Sequence, residues 1–270
     1  MLVPTLTLAG LGLVSGLGLA VAARIFAVET DPRQEQIADL LPGANCGGCG
    51  YAGCNDFAAA VVAGDVGANA CPVCDAESRA AVAAVMGAVV EDVEPSVAIV
   101  LCQGDDAHAS RRFRYNGAAS CASAALLGGG DKTCTYGCLG LGDCAAACAF
   151  GAVEMTESGI ARIIPERCTG CGQCITACPK DIIRLVPKSA TVHVLCSSHD
   201  KGGAAKKACS VACIGCKKCE KFFDEDPRVK VADFLAVIDY EGGPIDPAVI
   251  QTCPTGAMVD LAHDGGEERE

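Results

Sequence analysis

The hydrophobic pattern of this chain changes abruptly at Arg24. From Met1 to Ala23 no charged side chain occurs. About 20 apolar residues are enough to cross a bilayer as a helix, so residues 1–25 predict a transmembrane anchor. A cleaved signal peptide is the alternative, because Ala20-Val21-Ala22 resembles a cleavage site; no basic segment precedes the apolar run, however. Arg24 and Arg33 directly after it direct the C-terminal bulk to the cytoplasmic side of the inner membrane. Glycines between positions 10 and 18, among them Gly12 and Gly16, leave room for close helix–helix packing.

Beyond Arg24 the periodic segments are short. Asp56 to Gly64 is an alanine-rich run of helical length. Ser96 to Cys102 and Ala190 to Cys196 are apolar runs of strand length, each ending in cysteine. Asp264 to Glu270 is an acidic end. The pattern predicts an α+β chain: an anchor (1–25), a small N-terminal module (26–90), two related units (91–188 and 189–263) and the acidic tail (264–270).

Composition narrows the chemistry. Aromatic residues make up 4% of the chain and Trp is absent, so the cores are small, and bound inorganic groups can replace packing as the organising element. A net charge of −12 argues against nucleic acid, where binding rests on neutralising phosphates. There are 21 cysteines, an odd number rich in C-x2-C pairs, which disfavours a disulfide framework.

Cys168, Cys171, Cys174 and Cys178-Pro179 spell C-x2-C-x2-C-x3-C-P, the run of bacterial ferredoxins. In that motif the first three thiolates hold one [4Fe–4S] cube and the fourth reaches a second cube. A separate pattern, Cys46-x2-Cys49-x4-Cys54 with Cys71-Pro72, is wrapped in glycines that let backbone amides turn toward an anionic cluster. Structural zinc also accepts four thiolates; the glycine surround favours the cluster. Cys74 is read as a bystander.

From Glu91 onward the chain repeats itself. The two strand-like runs correspond, and Cys134-x3-Cys138-x5-Cys144 matches Cys209-x3-Cys213-x5-Cys219. In the second copy Phe223 stands at a ligand position, and Gly243, Asp246 and Val249 stand at three more counted back from Cys253. Under the crossed-ligand rule all four belong to one cube, so one cluster is missing whole and Cys213, Cys216, Cys219 and Cys253 hold the other. In the first copy Cys148 joins Cys168, Cys171 and Cys174. Leu141 replaces the middle cysteine of the remaining set, leaving Cys138, Cys144 and Cys178 in need of a fourth ligand. Cys134 is the nearest choice, with Cys102 and Cys121 as competitors. Four clusters are thus expected, and a fifth through Cys102, Cys121, Cys196 and Cys209 is open; small buried residues are the plain alternative for the last two.

Other signals are weaker. Gly140-Leu141-Gly142 lacks the strand and acidic partner of a dinucleotide site, and no P-loop occurs. The histidines at 108, 193, 199 and 263 are scattered. Lys201, Lys206, Lys207, Lys217, Lys218 and Lys221 gather around the third ferredoxin set, as a solvated face or as a dock for an acidic carrier.

The anchor, the Asn45-Cys46-Gly47-Gly48-Cys49-Gly50-Tyr51-Ala52-Gly53-Cys54 module, Tyr136 to Cys144, Leu195 to Ser198 and Cys213 to Cys219 together resemble the RnfB-type component of the Rnf complex, the membrane-bound ion-translocating ferredoxin:NAD oxidoreductase. The resemblance covers nearly the whole chain. It implies a component that takes low-potential electrons from soluble ferredoxin and passes them to flavin and cluster subunits of the same complex. No residue then acts as acid, base or nucleophile, and nicotinamide chemistry belongs to another subunit. The chain departs from the family's long forms by lacking the last cluster and by Ala149 after Cys148, where proline is usual. A polyferredoxin of another redox complex and a zinc-stabilised interaction module are the other readings.

Overall fold

A computed structural model describes residues 2–26, 31–89, 93–223 and 228–262. The acidic end at 264–270 and His263 lie outside the described residues.

Helix α1 (Leu2–Ile25) is apolar up to Arg24 in its last turn, and Leu6, Leu8, Leu11, Leu13, Leu17 and Leu19 are exposed. Pro4–Ile25 is long and apolar enough to cross a membrane. Three helices then make a small bundle: α2 (Pro32–Leu40), α3 (Cys54–Ala63) and α4 (Ala76–Met86). Asp31 caps α2 by accepting from Arg33 N, with Pro32 in the first turn. Gly64 ends α3 in the left-handed conformation, φ +80°. Ile37, Phe57, Val61 and Val82 fill the centre, with Cys71 and Cys74 on the same core.

The next segment opens with β1 (Ser96–Val100). It continues through α5 (Cys121–Ala125), α6 (Asp143–Ala146), β2 (Val153–Met155), β3 (Ala161–Ile163), α7 (Gln173–Ala177) and β4 (Ile183–Pro187). Strand β1 pairs antiparallel with β4, Ser96 opposite Pro187 and Val100 opposite Ile183, while β2 and β3 form a hairpin inside that frame. Every residue of β1 after Ser96 is buried, which explains its continuous apolar sequence.

The last segment has the same plan: β5 (Val192–Val194), α8 (Gly202–Ala208), α9 (Lys218–Phe222), β6 (Val229–Ala232), β7 (Leu235–Ile238) and β8 (Met258–Asp260). Outer strands β5 and β8 pair, and β6–β7 is the inner hairpin. Residues 108–111 sew the two segments together. Ala109 bridges to Cys209 and Arg111 to Lys132. Ser110 N donates to Ala208 O at 3.0 Å and Thr133 N to Ser110 O at 2.7 Å. Such seams consume backbone groups that would otherwise be buried unpaired.

Candidate iron–sulfur centres

The first site is built by the loop before α3. Gly47 and Gly50 take φ of +71° and +86°, the left-handed region a side chain would resist. Asn45 is left-handed too, and its Oδ1 accepts from Cys54 N at 2.8 Å, fixing Cys54 at the start of α3. Cys46, Cys49, Cys54 and Cys71 line one recess of about 330 Å³, with Phe57 among its walls. Cys74 is buried behind it and hydrogen-bonds to Cys71. That bond holds the Cys71 thiol down at about 6 and pushes Cys74 up. Cys74 therefore supports a candidate ligand without lining the recess.

On α7, the Cys174 thiol is pushed up to about 11 by burial and then by Cys168, Cys171 and Cys148, so these three cysteines lie near it. Ala98 N points at Cys168 Sγ and Ala152 N at Cys148 Sγ, each at 3.3 Å. Cys219 on α9 is likewise pushed up to about 11, by burial and then by Cys213, Cys216 and Cys253. Burial also raises Cys253, but the N–H groups of Thr255, Met258 and Ala257 and the Thr255 hydroxyl outweigh it, and its thiol is lowered. Cys216 is the exposed member of this set.

The positions expected to have lost a cluster carry other contacts. Val249 is fully buried beside Ile245 and Cys219, and Phe223 packs on the same core. Asp246 Oδ1 accepts from Ala248 N at 2.9 Å, and the Gly243 carbonyl accepts from Arg228 Nη1 at 3.3 Å. Apolar packing and turn hydrogen bonds occupy this corner.

Cys134 was the expected companion of Cys144, and the structure gives Cys144 a different neighbour. The Cys144 thiol is pushed up to about 12 by burial and then by Cys138, Cys121 and Cys178, so Cys121 lies near it. The reason is Asp143: its carboxylate accepts from Cys121 N at 2.9 Å, Ala122 N at 3.0 Å and Ser120 Oγ at 3.0 Å. Burial raises the Asp143 carboxyl, yet these donors outweigh it and hold it below the usual range. Helix α5 is thereby docked by its N-terminus next to α6. Leu141 packs on the same small cluster as Cys121, so the residue that displaced the middle cysteine touches its substitute's surroundings. The spacing within Cys134–Cys144 carries no sign of this; only the leucine at position 141 signalled that a remote cysteine was needed. Cys134 instead lies with Cys102, Cys196 and Cys209.

The donor chemistry fits cubes. All 21 cysteines are free thiols. Two recesses are each lined by four cysteines, and backbone N–H groups point at the sulfurs of Cys102, Cys148 and Cys168. Thiolate ligands with N–H···S bonds are what an iron–sulfur cluster takes. Burial raises the thiols of Cys138, Cys144, Cys174 and Cys219, and ligation of a thiol to metal releases its proton.

Fold and site therefore define an iron–sulfur electron-transfer protein. Residues 41–73 match the family model "Putative Fe-S cluster", and residues 133–182 match a 4Fe-4S dicluster domain. The chain is 45% identical over 240 residues to the RnfB-type component of the Na(+)-translocating ferredoxin:NAD(+) oxidoreductase complex of Acetobacterium woodii, covering 89% of this chain and 72% of that one. It is 44% identical to the corresponding component of the ion-translocating oxidoreductase complex of Methanosarcina acetivorans, covering 93% and 95%. A relative from the proton-translocating ferredoxin:NAD(+) oxidoreductase complex of Clostridium ljungdahlii is 42% identical, covering 92% and 88%. The chain belongs to this family, the RnfB-type iron–sulfur components of ion-translocating oxidoreductase complexes.

Proposed function

We propose that the chain is the iron–sulfur component through which an ion-translocating ferredoxin:NAD oxidoreductase complex receives low-potential electrons from soluble ferredoxin. Relatives of nearly equal identity are named for sodium and for protons. Helix α1 is the single anchor, with Arg24 and Arg33 on the cytoplasmic side together with all the cysteine sets. The divisions at residues 26–90, 91–188 and 189–263 are a cluster module and a duplicated ferredoxin-like unit; the recurrent frame of outer strand pair and inner hairpin supports the duplication.

The observation that carries the reading is the gathering of cysteines into successive sets. The candidate ligands are Cys46, Cys49, Cys54 and Cys71; then Cys148, Cys168, Cys171 and Cys174; then Cys121, Cys138, Cys144 and Cys178; and last Cys213, Cys216, Cys219 and Cys253. A bound [4Fe–4S] cluster supplies one-electron transfer at a potential set by charge, hydrogen bonds to sulfur and exposure. The chain's part is to exclude water from most sulfurs and to aim N–H groups at them. Exposed Cys216, followed directly by exposed Lys217 and Lys218, is the side on which a soluble acidic carrier is met.

Anaerobic purification with iron and sulfide analysis tests this. At least about 16 irons per chain and low-temperature electron paramagnetic resonance (EPR) signals after dithionite reduction are expected. A colourless protein carrying zinc would sink the reading.

A further inference from the structure

Once Cys121 is placed beside Cys144, Cys102, Cys134, Cys196 and Cys209 remain, and they converge. They line one recess of about 370 Å³ at the seam between the two ferredoxin-like segments. A β-carbon built on Gly137 would stand 3.6 Å from Cys102 Sγ and 3.7 Å from Cys134 Sγ. One on Gly104 would stand 3.3 Å from Cys209 Sγ and 3.6 Å from Cys102 Sγ. Both positions are glycine, so the sulfurs face open space.

The four are two pairs of repeat-equivalent residues. Cys102 and Cys196 each end an outer-strand run; Cys134 and Cys209 each precede the cysteine run by the same spacing. Their hydrogen bonds repeat as well. Gly104 N donates to Cys102 Sγ at 3.4 Å, and Ser198 N, at the same offset, donates to Cys196 Sγ at 3.5 Å. Cys138 N donates to Cys102 Sγ at 3.3 Å, and its repeat mate Cys213 donates through its backbone N–H to Cys196 Sγ. Buried bystander cysteines have no reason to meet as two symmetric pairs with matching N–H donors. A buried cation completes the site: Lys132, 1% exposed, donates from Nζ to Gly104 O at 2.6 Å. An amine buried this deeply calls for compensating negative charge, which a thiolate-bound cluster supplies.

We propose that Cys102, Cys134, Cys196 and Cys209 hold a fifth [4Fe–4S] cluster, joining the Cys121/Cys138/Cys144/Cys178 set to the Cys213/Cys216/Cys219/Cys253 set. It rests on the iron–sulfur reading above. Each thiol gives up one proton on ligation, and the site then passes one electron in and one out. The hydrogen bonds from Cys138 and Cys213 link each neighbouring set to a sulfur of this one.

The test is metal analysis of the whole chain, purified anaerobically, beside Cys196→Ala and Cys209→Ala. About 20 irons and 20 sulfides are expected in the parent, and about 16 in the two site variants, with one reduced EPR signal missing. A parent with about 16 irons, or site variants that keep the parent's iron count and signals, would overturn the fifth cluster while leaving the electron-transfer reading intact. One zinc per parent chain, lost in the variants, would overturn it in favour of a structural zinc. The parent count decides even if a variant does not fold. Near-zero iron in the parent would instead sink the electron-transfer reading itself.

Discussion

Gly48 lies directly against Cys171: a β-carbon on Gly48 would stand 2.7 Å from the Cys171 carbonyl oxygen and 3.1 Å from its Cα and Cβ. Gly48 sits between Cys46 and Cys49, and Cys171 belongs to the α7 set. Two candidate centres therefore touch with no side chain between them. Gly48→Ala must push two backbones apart, at an overpacking cost of about 1–3 kcal/mol. We expect iron content to be kept, while magnetic broadening between the two reduced centres weakens and electron exchange between them slows several-fold. Freeze-quench EPR reads both; unaltered broadening would count against the contact as a route.

Removal of Cys121 separates the two assignments for the Cys144 site. Cys121→Ala is expected to lose about four irons, the content of one cube. Adding Leu141→Cys to that variant restores the middle cysteine of the ferredoxin run and is expected to return them. If Cys121→Ala keeps its full iron, Cys121 is not the fourth ligand.

How far these sites were legible depends on how local they are. Cys148, Cys168 and Cys171 lie near Cys174, and that neighbourhood is local, set by a short run and its hairpin. The helix at α3 and the apolar strands β1 and β5 were equally plain from alanine content and continuous apolar runs. Cys121 was legible only as one of three alternatives, since its place depends on the Asp143 carboxylate gripping the start of α5 across the intervening loop. Cys134 and Cys209 were matched along the sequence as repeat mates, yet their meeting depends on residues 108–111 stitching both segments, and no periodicity encodes that.

The corner around Val249 and Phe223 makes a packing prediction. Val249→Ala and Phe223→Ala each remove apolar contacts from the last core, costing roughly 1–4 kcal/mol. Since neither residue is a ligand, iron content should stay constant while the urea midpoint falls. Iron loss before unfolding would mean the pair supports a bound cluster directly.

His193 predicts a pH dependence. It is buried, with Nδ1 2.9 Å from Tyr240 Oη and Nε2 3.1 Å from Ala190 O. Burial lowers its pKa, against the pull of the Ala190 carbonyl and the Asp260 charge. The unfolded chain then binds a proton near pH 6.5 that the folded chain refuses. Stability from His193 is complete above about pH 6.5 and is lost as pH falls toward the lowered folded value. Urea midpoints of wild type and His193→Gln across that window should converge on acidification; parallel curves would exclude the histidine as the cause.

The lysines around Cys216 have an electrostatic test. Lys201, Lys206, Lys207, Lys217, Lys218 and Lys221 are all exposed, and Lys217 Nζ lies 3.6 Å from Glu220 Oε2. The chain as a whole carries a net charge of −12 and repels an acidic carrier, so attraction has to come from this patch. Steering by such a patch raises association rates by about 10-fold or more, and salt removes it as the Debye length shrinks from ~30 Å at 0.01 M to ~3 Å at 1 M. Reduction of the chain by a soluble acidic ferredoxin should therefore slow steeply with salt. In the Lys217→Glu, Lys218→Glu, Lys221→Glu variant the low-salt rate should drop by about 10-fold and the salt slope should flatten. Stopped-flow absorbance at subsaturating ferredoxin measures both, and iron analysis of the variant guards against cluster loss. A rate indifferent to salt, or a variant as fast as wild type, would leave these lysines as a solvated face only.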